Sequence, residues 1–90
     1  MSYVYQAERP KLFTEDGQTT FLKIRDHVRR LLKLAGAVRM QEATSVASGD
    51  TWFMLACVDR LVELKELREV EQDSPVGQHR IFVATPSMDL

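Results

Sequence analysis

An α+β fold, with helices first and a β-hairpin last, is predicted by three features of this 90-residue sequence. Two long stretches, 18–35 and 51–67, carry apolar residues at helical spacing. After Leu67 the period shortens, and Arg68–Gln72 and His79–Ala84 have the length and composition of strands. Pro75 and Gly77 stand between those two segments as turn formers.

Taken in order, residues 1–13 form an N-terminal arm, interrupted at Pro10, which removes a backbone donor and restricts the residue before it. The arm is expected to be extended and to seat Leu12 and Phe13 at the mouth of the core. If it pairs with a second copy, Tyr3 and Tyr5 become interface residues. Thr14-Glu-Asp-Gly17 is a helix start with Asp16 or Thr14 as the cap. Phe21, Ile24, Val28, Leu31, Leu32 and Ala35 then make one apolar face, and Gly36 ends the helix. Ala37–Arg39 is short enough for a one-rung strand. Met40, Ala43, Val46 and Ala47 mark a brief second helix that stops at Ser48-Gly49, with Thr44 and Ser45 as weak helix formers inside it.

The third helix, about 51–67, is the organising element. Asp50 can accept the first free amide hydrogens. At about 100° per residue, Phe53, Met54, Leu55, Cys57, Val58, Leu61, Val62 and Leu64 cover an arc of roughly 200°, wider than a surface helix needs. The opposite face carries Trp52, Ala56, Asp59, Arg60, Glu63 and Glu66. The domain therefore runs over 14–85, with 86–90 as a tail expected to fray.

At 44% hydrophobic and 28% charged residues the chain is of the globular class, and its length suits one core. The formal net charge of −1 excludes a global basic excess. That total conceals two patches. Residues 18–35 balance to +4 through Lys23, Arg25, Arg29, Arg30 and Lys33 against Asp26, and residues 50–72 balance to −3. No run approaches the ~20 apolar residues of a membrane helix, and the first residues lack a secretory pattern. The single Cys57 lies on the apolar arc, as a small core residue in a reducing cytoplasm would.

Helix, short strand, short helix, long helix, strand, turn, strand is also an order with a name. With the run Cys57-Val-Asp-Arg-Leu-Val-Glu-Leu-Lys-Glu-Leu-Arg-Glu-Val70, it resembles the winged helix of bacterial transcriptional regulators, including the MarR type, over residues 18–84. The resemblance implies a DNA-binding module whose third helix enters the major groove while a wing at 73–78 touches the backbone. Such proteins commonly have Gly where this chain has Lys65, so the helix is expected to end differently.

Two functions follow. The first is a small DNA-binding regulator acting as a homodimer, with Arg39, His79 and Arg80 on phosphates and Thr51 and Arg60 toward bases. Against it stand the carboxylates of the third helix, which repel phosphate, and a wing tip without Lys or Arg. The second is a winged-helix module for a protein partner, with Trp52 and Ala56 as an anchor ringed by Asp59, Glu63 and Arg60. Catalysis is not expected, and neither is a cofactor or a metal. Gly17, Gly36, Gly49 and Gly77 form no phosphate-cradling loop, and His27, His79 and Cys57 are too dispersed for a metal site. His27, at the margin of the apolar face, fits a hydrogen-bonded structural role.

Overall fold

A computed structural model describes residues 2–71 and 79–86. Its architecture is α+β, with four helices and one three-stranded antiparallel sheet. Helix α1 (Tyr5–Glu8) and a 3-10 turn (Arg9–Phe13) precede α2 (Glu15–Ala35). β1 (Ala37–Arg39), α3 (Met40–Ala43), α4 (Thr51–Glu63), β2 (Leu67–Glu69) and β3 (Ile81–Ala84) follow. The expected turn at 73–78 and the tail beyond Pro86 lie outside the described residues.

The two principal helices start and stop where local chemistry dictates. Thr14 caps α2, its hydroxyl accepting the Gly17 N–H at 3.0 Å, while Glu15 and Asp16 complement the positive end of the helix dipole. Position 17 must be glycine because a Cβ there would lie 2.0 Å from the Lys11 carbonyl oxygen. Asp50 caps α4 by accepting the Trp52 N–H at 3.0 Å. That helix was expected to reach about 67, but it ends at Glu63. Lys65 takes φ 64°, the left-handed conformation, and the N–H groups of Lys65 and Glu66 return to the carbonyls of Val62 and Leu61 at 3.0 and 2.9 Å. This paired closure normally uses glycine, and here Lys65 adopts it.

The sheet order is β1-β3-β2, which places β3 in the middle although it comes after both neighbours in the chain. Val38 pairs with Phe82 and Phe82 with Glu69, so the core-facing row runs across all three strands. Phe82, Val38 and Leu67 are buried from this face, against Phe21, Ile24 and Val28 of α2 and Leu55, Cys57, Val58 and Leu61 of α4. Met40 and Ala43 of α3 are fully buried with them. The second helix expected over 40–47 is thus one short turn of α-helix, followed by hydrogen-bonded turns at Thr44–Ala47.

The arm departs from expectation. It is helical rather than extended, because Pro10 sits in the first turn of the 3-10 segment, where its missing N–H costs nothing. Leu12 enters the core at 0% exposure, whereas Phe13 stays 52% exposed. Both arm segments pack on α4, and the 3-10 turn also packs on α2.

Candidate functional site: the seam between the arm and α4

Tyr3, Tyr5 and Arg9 reach from the arm to carboxylates that α4 would otherwise present to solvent. The Tyr3 hydroxyl donates to Asp59 Oδ2 at 2.7 Å, and the Tyr5 hydroxyl donates to Glu63 Oε1 at 2.7 Å. Arg9 Nε lies 3.0 Å from both oxygens of Glu63, and Arg60 Nη1 adds a bond of 2.7 Å from within α4. Arg9 and Arg60 also both stack against the Phe13 ring, at 4.9 and 5.1 Å from its centroid. One carboxylate and one ring therefore hold two guanidinium groups.

On the side of the sheet, Arg80 completes the seam. Its Nη2 donates to Asp59 Oδ1 at 2.8 Å and to Glu69 Oε1 at 2.8 Å, while Nε donates to Glu69 Oε2 at 2.9 Å. Asp59 is thus shared by the arm, α4 and the residue before β3. These are charge-assisted bonds in a partly desolvated setting, the arrangement in which ion pairs matter most.

The titration behaviour follows from these contacts. Hydrogen bonds from Tyr5, Arg60 and Arg9 hold the Glu63 carboxyl down, at about 2. Burial, then the bond to Glu63, pushes Tyr5 up to about 12, and burial with the bond to Asp59 raises Tyr3 further. Arg80 is held protonated chiefly by its bonds to Glu69 and Asp59. Every carboxylate in the seam has a donor.

No family model matches this sequence. No curated protein and no solved structure matches it either.

The residues singled out from sequence separate into three groups. Tyr3, Tyr5, Asp59, Glu63, Arg60 and Arg80 come together, but on one another within the chain rather than on an open face. Ala56, expected beside Trp52 on the outward face, is 0% exposed and belongs to the interior. Trp52 is half-buried and packs on the core cluster, so its ring covers an edge of its own domain. Arg39, Thr51 and His79 are exposed. Arg39 precedes α3, where its backbone N–H donates to Glu42 Oε1 at 3.0 Å.

Arg9, Phe13 and Glu69 were not anticipated. The arm that carries Arg9 and Phe13 lies over the polar side of α4, which the width of the apolar arc does not report. Cys57 is fully buried, and burial pushes its thiol up to about 12, which removes it as a nucleophile. His27 Nε2 lies 3.1 Å from the Glu42 carbonyl oxygen and 3.4 Å from Ser45 Oγ, tying α2 to α3. Among the described residues no three His, Cys, Asp or Glu side chains group to hold a metal ion, and no helix is long and apolar enough to cross a membrane.

Proposed function

We propose that this chain is a winged-helix module that works through contact with another protein and does not read DNA sequence. The observation that carries this reading is the seam. In a sequence-reading winged helix the outward face of the long third helix must be open and rich in donors. Here the arm packs on that helix, its carboxylates Asp59 and Glu63 are tied to Tyr3, Tyr5, Arg9 and Arg80, and Arg60 is held by Glu63 and the Phe13 ring. Releasing the arm would uncover two carboxylates, which repel phosphate and pair with few base edges.

The test is selection of random duplexes by the full chain at about 100 mM salt. No sequence motif is expected to be enriched. An enriched motif whose binding is abolished by Thr51→Ala or Arg60→Ala would overturn the reading.

A second reading, DNA contact by a homodimer, is favoured by the β1-β3-β2 order with α4 entering β2, since that is the connectivity a winged helix requires. Arg39 and Arg68, exposed on the two edge strands, would then supply phosphate contacts. On this reading affinity is indifferent to sequence and falls steeply with salt, and Arg39→Gln with Arg68→Gln flattens the salt slope.

A further inference from the structure

Four of the eight arginines among the described residues meet a carboxylate closely. Arg9 and Arg60 share Glu63, Arg80 spans Asp59 and Glu69, and Arg29 reaches Glu66, with distances from 2.7 to 3.0 Å. Lys11 likewise lies 2.9 Å from Glu8. The outward face of α2 gathers cations that have no such partner among the described residues. Lys23, Arg30 and Lys33 are exposed and make no ion pair among the described residues. Lys23 and Arg30 are two helical turns apart, about 10 Å, and Arg30 and Lys33 are neighbours on the helix surface. Beside these cations stand two leucines in solvent, Leu22 at 41% and Leu34 at 81% exposure, about 18 Å apart along the axis.

We infer that this face of α2 docks an acidic, partly apolar segment of another protein, a deepening that rests on the protein-interaction reading above. Charge complementarity fixes the sign of the partner. Arg39 and Arg68 stand exposed one to an edge strand, whereas three cations unpaired among the described residues share this one helix face, which is what leaves it to be met from outside. The leucines decide the class. A phosphate backbone gains nothing from two exposed leucines, and the face carries no aromatic ring on which a base could stack. A peptide with carboxylates one to two helical turns apart and large aliphatic residues outside them satisfies both features.

The experiment is panning of a random peptide library displayed on phage against the immobilised full chain. Alongside it, anisotropy titration measures a mixed-sequence 20-base-pair duplex, a length of about two helical turns. The enriched peptides are expected to combine Glu or Asp with Leu, Ile or Phe. Their affinity should fall roughly tenfold or more in K23E/R30E/K33E, and by roughly fivefold in L22S/L34S. K23Q/R30Q/K33Q should weaken binding in the same direction and serves if charge reversal disturbs the helix. All these positions are exposed, so each variant should melt with the parent chain.

Enriched peptides that ignore these substitutions overturn the assignment of this face while leaving the protein-interaction reading intact. Absence of enrichment, or charge variants that matter while L22S/L34S does not, also overturns it. A duplex that binds more tightly than any peptide and is lost in K23Q/R30Q/K33Q overturns both readings, with nucleic acid as the occupant.

Discussion

Replacing Arg80 by methionine isolates the energetic weight of the seam. The substitution keeps a long apolar stem and deletes the guanidinium that joins Asp59 to Glu69. The side chains of Arg80 and Asp59 are 17% and 14% exposed, so the deletion strands a partly buried carboxylate. Breaking a fully buried pair costs about 3–5 kcal/mol. Glu69, at 33% exposure, can recover water, and Tyr3 still donates to Asp59. The expected loss is therefore smaller, about 2–3 kcal/mol, or a fall of about 10–20 °C in Tm for a domain of this size.

Urea denaturation of the parent, Arg80→Met, Asp59→Asn and the double variant measures both the loss and the coupling. Asp59→Asn should cost less in the Arg80→Met background by at least about 1 kcal/mol, since the carboxylate it removes is then unpaired. A loss below about 1 kcal/mol for Arg80→Met, at unchanged m, would mean that the network behaves like an exposed ion pair. The argument that α4 is locked by its own chain would then fail.

Three further outcomes are expected. Glu63 is held at about 2 against its ordinary 4.5, so its contribution to stability is complete above pH 4.5 and is lost as the pH falls from there toward 2; Tm profiles of the parent and Glu63→Gln should converge across that window, and parallel profiles would contradict the seam. Lys65→Gly relieves a left-handed backbone at a residue with a Cβ, and should raise unfolding stability by roughly 0.5–1 kcal/mol by denaturant titration. Gly17→Ala places a methyl 2.0 Å from the Lys11 carbonyl oxygen and so forces the arm away from α2; a loss of about 2 kcal/mol or more is expected in the same assay, and a neutral result would show that the 3-10 turn is not held there.

Much of this architecture was legible where a local rule decides it. Gly36 stops α2 by adopting φ 79°, and Asp50 starts α4 by accepting an amide hydrogen, and both signals need only neighbours in sequence. The last strand was placed to within a few residues because β-branched and aromatic side chains cluster there, and the one before it because the helical period breaks off after Leu67. The arm was misread because segments of four and five residues contain too little periodicity to reveal a helix. Pro10, taken as an interruption, in fact opens a turn. Ala56 was misplaced for a related reason. A helical wheel sorts residues by angle within one helix and cannot show that a distant segment covers the polar side as well. The roles of Asp59, Glu63 and Arg80 could not be assigned from sequence because their bonding partners lie far away along the chain. A charged side chain bound to its own fold looks the same in sequence as one waiting for a ligand.

The central position of β3 also constrains how the domain is made. Ala37 must wait for Val83, and Leu67 for Ala84, before either can find its hydrogen-bonding neighbour. During synthesis, α2 and α4 emerge and can collapse together while β1 and β2 still lack the strand between them. Loop closure over such separations is slow relative to helix formation. A nascent chain stalled short of residue 81 would thus hold a helical, aggregation-prone intermediate with two unpaired strand edges, and emergence of the final strand from the ribosome becomes the event that completes folding.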